Sequence, residues 1–264
     1  MASESEFKGD AVNDLPGYVW AAVLIGVVGL PAAAIVALAS GARAVRPHGR
    51  SIATIAIVAG TVWAGWLAGG FALADAGVYQ QRGNAANPWI AVAFLAALVA
   101  VLLATRIPTV ARILADPGTP ARLALPQTFR IVGGVFLVVL GLGALPAVFA
   151  VPAGLGDVAV GVAAPFVARR LSHGTGRRDA VWFNMLGIVD LVVAVSVGFL
   201  AGLGPTSLLH VTPTTAALTT LPLALIPTTA VPLAVALHVT SLRRLRATSH
   251  ATMPAAGRTV RVTG

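Results

Sequence analysis

The sequence predicts an all-α integral membrane protein, a polytopic bundle of seven transmembrane helices. Of the 264 residues, 57% are hydrophobic and 10% are charged, whereas an ordinary soluble domain carries about 25% charged residues. Seven apolar runs reach or approach the roughly 20 residues that a helix needs to cross a bilayer core about 30 Å thick. Arginines cluster in alternate connections between these runs, which is typical of loops on the cytoplasmic side of a membrane.

Each apolar run is predicted to be a helix, because a helix satisfies its own backbone hydrogen bonds inside lipid. The period-two alternation of a membrane β-strand is missing from the sequence. The predicted domain covers residues 18–246, between a polar extracytoplasmic segment, 1–17, and a disordered cytoplasmic tail, 247–264. Its spans are predicted at 18–40, 52–74, 89–105, 127–147, 153–171, 180–201 and 218–242.

Basic residues determine the predicted orientation. Fifteen lie in the first, third and fifth connections and the C-terminal tail, against two, Lys8 and Arg82, on the other side. Because positively charged loops stay in the cytoplasm, the N-terminus is predicted outside and the C-terminus inside. One lysine against seventeen arginines, with heavy use of Ala, Val and Gly, suggests a GC-rich bacterial genome. The expected location is therefore the bacterial cytoplasmic (inner) membrane, with several passes.

Several function classes are disfavoured by the composition. The net charge of +9 is spread over short loops, so we expect membrane lipids as neighbours and no nucleic acid. The absence of cysteine excludes disulfides and thiolate chemistry. Seven helices suggest a retinal protein, but the last span has no lysine for a Schiff base. A second histidine is missing at the depth of His238, so no haem, metal or other cofactor is expected. Oligomerisation is left open.

Polar and ionisable residues concentrate in the last four spans. A charge within a membrane span costs about 2.5–3.5 kcal/mol on insertion scales, so each should face a partner, a cavity or an interface. At a rise of 1.5 Å per residue, Arg130, Asn184 and His238 are predicted about 6 Å inside the cytoplasmic surface, and Asp190 about 15 Å inside. Arg130 either extends to the nearby surface or pairs with Asp190 or Asn184. The predicted inner-leaflet ligand or proton site comprises Gln127, Arg130, Asn184, Asp190 and His238.

One further carboxylate, Asp157, ends the sequence Gly154-Leu155-Gly156-Asp157. The four residues match the GxGD motif of intramembrane aspartyl proteases, which need a second aspartate that shares a proton with the first. Here Asp190 follows the motif instead of preceding it, and the predicted depths differ, so the protease interpretation is disfavoured. Asp157 is predicted about 6 Å below the outer surface, at a helix N-terminus that favours negative charge, as a secondary outer-side site.

Three prolines, Pro222, Pro227 and Pro232, interrupt the last span. Each removes a backbone donor and leaves the carbonyl four residues earlier without its helical partner. Thr228 and Thr229 are predicted to bond the freed carbonyls. Interrupted helices of this kind occur at transporter binding sites, although proline is also common in ordinary membrane helices.

The stretches "LPQTFRIVGGVFLVVLGLGALPAVFAVPAGLGD", "FNMLGIVDLVVA" and "LIPTTAVPLAVALHVTSLRRL" resemble an uncharacterised family of bacterial multi-span membrane proteins over roughly residues 125–245. The resemblance implies no known activity. Three functions are compatible with the sequence. The expected one is a small-molecule or proton-coupled transporter, with the last four helices as its working unit. The alternatives are a scaffold or accessory subunit without its own chemistry, and a membrane-embedded enzyme that acts on a lipid or isoprenoid.

Overall fold

The all-α prediction is confirmed. The computed structural model describes residues 15–45, 49–81, 87–202 and 208–251, and every regular element in these ranges is helical. Five helical segments are long and apolar enough to cross a membrane, or six if a pair of helices bent by 79° counts as one span. Most of the predicted N-terminal segment and of the predicted tail lies outside the described residues, although the last helix continues to Ala251.

The first three long helices lie close to the predicted positions. Helix α1 spans Gly17–Ala44, α2 spans Gly49–Asp75 and α3 spans Trp89–Ala104. Helix α4, Pro108–Leu114, follows α3 after the 79° bend. The most apolar stretch of α2 has no buried residue, whereas α1 buries Val19, Val23 and Val27 against the rest of the bundle. Helix α1 therefore belongs to the core, and α2 lies at its edge.

The fourth predicted span, 127–147, is wrong by several residues at both ends. The apolar segment runs from Thr119 to Gly141 and consists of α5 (Thr119–Ala124), a 3₁₀ segment (Leu125–Gly134) and α6 (Val135–Gly141). Pro120, which signals a break in the sequence, lies in the first turn of α5, where its missing N–H is not needed. The segment ends where Gly143 adopts a φ of +74° and Ala144 donates to the Val139 carbonyl, which is a Schellman motif.

The fifth predicted span, 153–171, begins too late. Helix α7 spans Ala147–Ser172, with Pro146 before its first residue and Pro152 inside it. The sequence places the start after Pro152 because proline is typical of a helix boundary. In the structure the helix begins six residues earlier, at Ala147, and Pro152 lies inside it. Helix α8, Arg177–Leu200, follows after a short turn. Helices α7 and α8 are therefore antiparallel neighbours.

The last predicted span, 218–242, is only partly helical. A 3₁₀ turn, Ala216–Thr219, is followed by irregular chain, a π-helix (Ile226–Ala230) and α9 (Val231–Ala251). Thr228 and Thr229 donate to the carbonyls of Ala224 and Leu225, not to those that the prolines free, so this prediction is wrong in its partners.

The carbonyl freed by Pro232 is that of Thr228, four residues earlier. The indole Nε1–H of Trp66 on α2 donates to it at 2.8 Å. This bond from a neighbouring helix stabilises the junction between the π-helix and α9, where the sequence alone offers no local donor.

Candidate functional site

Arg130 lies at the centre of the bundle, eleven residues from either end of the 119–141 segment, and is 5% exposed. Its Nε donates to Asp157 Oδ1 at 2.6 Å, and its Nη2 donates to Asp190 Oδ2. Its Nη1 lies 3.3 Å from His238 Nε2. Every nitrogen of the guanidinium group thus has a partner inside the bundle. The segment that holds Arg130 begins at Thr119, eight residues before the predicted start at residue 127, so Arg130 lies further from the end of its segment than predicted.

The 3₁₀ conformation aligns the polar face of this segment. In a 3₁₀ helix, residues three apart lie directly above one another, whereas in an α-helix they diverge by 60°. Gln127, Arg130 and Gly133 have this spacing and all fall within the 3₁₀ segment. They consequently form one line, with Arg130 between a buried amide and a position without a side chain.

Asp157 belongs to the same cluster as Asp190, contrary to the separate outer-side site predicted for it. Asp157 lies ten residues after the start of α7, and Asp190 lies ten residues before the end of α8. In antiparallel helices these positions are at the same level, about 15 Å from the shared end. The sequence separates Asp157 from Asp190 because it places the start of this helix at residue 153, six residues after the observed start at Ala147.

Three glycines give the charged cluster its space. A methyl group on Gly133 would overlap the Asp157 carboxylate, one on Gly156 would overlap the Asp190 carboxylate, and one on Gly187 would overlap the His238 ring. Each glycine lies on a different segment from the side chain it accommodates. The helices approach closely at these points, as small residues allow in membrane bundles.

His238 extends the cluster into a buried polar chain. Its Nδ1 lies 2.9 Å from Asn184 Oδ1, while Asn184 Nδ2 donates to the Ala180 carbonyl at 2.7 Å and to Ser241 Oγ at 3.1 Å. Because the amide nitrogen is committed to two acceptors, its oxygen must accept from His238 Nδ1–H. His238 Nε2 then accepts from Arg130, so the hydrogen-bond pattern assigns a neutral imidazole.

Gln127 is 1% exposed and only partly satisfied. Its Nε2 donates to the Ala234 carbonyl on α9 at 3.1 Å. Its Oε1 is buried and accepts no hydrogen bond from the described residues. An unpaired buried acceptor costs about 1–3 kcal/mol. Gln127 therefore differs from the fully bonded residues of the chain, because its Oε1 can still accept a hydrogen bond from a further donor.

The cluster carries one formal charge too many. One guanidinium faces two carboxylates and a neutral histidine, which leaves a net charge of −1 when both carboxyls are ionised. The side chains of Asp157 and Asp190 are 15% and 16% exposed, and the side chain of Arg130 alone is 3% exposed. In a low-dielectric interior an uncompensated charge is costly. The arrangement therefore suits the binding of one proton or one cation.

A cavity of about 50 Å³ adjoins the cluster. Arg130 and Asp157 lie at its polar end, and the remaining lining is apolar. The walls come from α1, the 3₁₀ segment and the π-helix with the start of α9, including Val23, Gly26, Val27, Val132, Ile226 and Ala230.

A second cavity, about 90 Å³, lies further along α8. Leu191 lines the first cavity, and Val195, Gly198 and Phe199 line the second. Ile226 faces the first and its neighbour Pro227 the second. The π-helix thus lies between the two spaces.

The residues that the structure describes contain no group of three or more His, Asp or Glu side chains that could hold a metal ion. Five of the six residues that the sequence singled out, Asn184, Arg130, Asp157, Asp190 and His238, form one hydrogen-bonded cluster. The sixth, Gln127, donates to the Ala234 carbonyl instead. Sequence reasoning missed Ser241. The available signal was its position three residues after His238, on the same face of a helix.

The comparisons with known proteins identify a family without an activity. Residues 87–246 match the family described as "Domain of unknown function (DUF8737)". No curated protein and no solved structure matches the chain. The matched region contains every residue of the cluster, while α1, which forms one wall of the first cavity, lies outside it.

Proposed function

The chain belongs to the DUF8737 family, and we propose that it is a proton-coupled transporter of a small molecule in the bacterial cytoplasmic membrane. The observation that carries the proposal is the shared guanidinium. Asp157 and Asp190 both bind Arg130 at the middle of apolar helices, and Asp157 also faces a cavity. Ionisable groups within membrane spans are typical of ion pathways and proton relays.

The proposed topology has seven spans, with the N-terminus outside and the C-terminus in the cytoplasm. Five segments that are long and apolar enough to cross a membrane, together with the bent α3–α4 pair, supply up to six of the proposed crossings. The 3₁₀ turn, the irregular chain up to residue 225, the π-helix and α9 together are the proposed seventh crossing. A discontinuous last span beside a charged cluster supports transport, because binding sites in many transporters are built on broken helices.

Proton coupling follows from the charge of the cluster. With both carboxyls ionised the cluster has a net charge of −1, and binding of one proton makes it neutral. A site that alternates between these states can release a proton when a second ligand arrives and take it up again afterwards. The two cavities on either side of the π-helix support a route to and from this site.

Infrared spectroscopy tests the proton site directly. Protein in lipid nanodiscs is compared in acidic and alkaline buffer, and the carbonyl stretch of a protonated carboxyl is measured. We expect a band that Asp157→Asn and Asp190→Asn each abolish, because one aspartate and Arg130 form a neutral pair that needs no proton. Asp179→Asn, which affects an exposed pair with Arg170, is the matched control. A spectrum that is the same in all four proteins overturns the proposal.

Flux is measured in liposomes that enclose a pH-sensitive dye. We expect an imposed pH gradient to collapse faster when a transported solute is added, and Asp190→Asn liposomes to give the background rate. Equal rates with wild-type and variant protein, for cationic, anionic and neutral solutes alike, contradict transport. That result favours the scaffold function. One observation supports a scaffold: all three guanidinium nitrogens of Arg130 already have partners within the protein.

A further inference from the structure

The polar end of the cavity beside Arg130 presents an acceptor and no free cation. The guanidinium nitrogens are occupied by Asp157, Asp190 and His238. Asp157 uses Oδ1 for Arg130, and its Oδ2 accepts no hydrogen bond from any residue that the structure describes. Asp157 lines the cavity, so a ligand that enters this space meets a carboxylate with unused lone pairs.

The net charge of the cluster independently favours a cationic ligand. The cluster has one negative charge in excess, so a cation lowers the cost of burial and an anion raises it. The rest of the lining is aliphatic or aromatic. A bare inorganic cation requires several oxygen ligands, about six to eight for Ca²⁺ and near-octahedral coordination for Mg²⁺, which these walls do not offer. An organic cation satisfies both the carboxylate and the apolar walls.

The size of the space limits the ligand. A cavity of about 150 Å³ holds one benzene molecule, so a cavity of about 50 Å³ accommodates only a few non-hydrogen atoms. A short alkyl chain with one ammonium group has this size. Its N–H donors match Asp157 Oδ2, and its carbons match Val23, Val27 and Ile226.

We propose that the cavity is the substrate site and that it takes a small alkylammonium ion in place of the proton. This inference rests on the proposed function and specifies its substrate class. Since one positive charge neutralises the cluster, proton and ammonium compete for it, and the protein exchanges one for the other. Protonation of a carboxyl removes the negative charge that attracts the ammonium, and arrival of the ammonium releases the proton to water.

Ligand-detected NMR with n-propylammonium chloride tests the site on the full-length protein in nanodiscs. We expect propylammonium to show saturation transfer that weakens as the pH falls, and propionate and 1-propanol, of similar size, to show none. Sodium chloride at the same ionic strength should compete weakly. Equal signals from 1-propanol and propylammonium, or full displacement by sodium, overturn the assignment.

Two substitutions locate the binding. Asp157→Asn preserves shape and removes the charge, and loss of a charge-assisted bond predicts an affinity about tenfold lower or worse. Gly26→Ala introduces a methyl group that meets Val132 Cγ1 at 3.6 Å, an ordinary contact, and it narrows the cavity without touching the cluster. The matched control is Gly60→Ala on α2, where an added methyl meets nothing within 4 Å.

We expect weaker binding in Gly26→Ala and unchanged binding in Gly60→Ala. Equal binding in these two proteins contradicts the cavity as the site, even if Asp157→Asn fails to fold. The infrared band of the proton site separates the two proposals. If the band is present and propylammonium does not bind, the substrate assignment fails while proton coupling stands.

Discussion

Asp157 and Asp190 lie on antiparallel helices at the same distance from their shared end, and both accept a hydrogen bond from Arg130. The two carboxylates are 33 residues apart in the sequence, and neither is close to Arg130 along the chain. Their meeting at one guanidinium connects the 3₁₀ segment, α7 and α8 through charge. Three properties of this cluster, and one of the junction between the π-helix and α9, can be measured besides the experiments above.

Removal of the guanidinium should destabilise the bundle. Arg130→Gln leaves two carboxylates together in the interior, and breaking a buried ion pair typically costs about 3–5 kcal/mol. Reversible unfolding in mixed micelles measures the loss. Arg122→Gln breaks a more exposed pair with Asp116, 2.5 Å apart, and should cost about 1 kcal/mol or less. Equal losses in the two variants would contradict the central role of Arg130.

Gly156→Ala should disturb Asp190 through space. The added methyl would overlap the Asp190 carboxylate, and overpacking of this kind costs about 1–3 kcal/mol. The measurements are unfolding free energy and the infrared band of the carboxyl pair. Gly65→Ala on α2, where nothing lies within 4 Å, should be neutral or slightly stabilising because alanine is the better helix former. If Gly156→Ala changed neither the unfolding free energy nor the infrared band, α7 and α8 would have to lie further apart than the structure shows.

Asn184→Leu should remove the support of His238. Without the amide, His238 Nδ1–H and Ser241 lose a buried partner, at a cost of about 1–3 kcal/mol for an unsatisfied polar group. The chemical shifts of the ¹⁵N-labelled imidazole report the change in tautomer. Thr219→Ala, which removes an exposed hydrogen bond to the Ala216 carbonyl, is the control and should leave the His238 signals as they are. An unchanged imidazole in Asn184→Leu would show that another group orients His238.

Trp66→Phe tests the junction of the π-helix and α9. The substitution keeps an aromatic ring and removes the N–H that reaches the Thr228 carbonyl. We expect faster amide hydrogen exchange around residues 226–235 and a loss of about 1 kcal/mol. Trp182→Phe, at a position that is 57% exposed, should not change exchange there. The same exchange rate in both variants would show that the junction does not depend on α2.

The all-helical architecture could be predicted because it depends on average properties of the chain. Low charge, long apolar runs and arginine spacing are visible without any tertiary information. The six candidate residues were also identifiable, since an ionisable group in an apolar run is conspicuous wherever it lies. The predicted separation of Asp157 from Asp190 is wrong, because Pro152 looks like a helix boundary and helix boundaries depend on contacts that a sequence does not display.

By itself, the sequence determined that this chain consists of apolar helices and which few of its side chains need a partner. That information is local, since each residue contributes its own cost of transfer into an apolar medium. Only the tertiary structure decided who the partners are. The 3₁₀ segment places Gln127, Arg130 and Gly133 in one line, and Gly133, Gly156 and Gly187 let neighbouring segments approach closely enough for the bonds to form. The helical period and the interhelical distance are set by packing of the whole bundle, so no single stretch of sequence contains them.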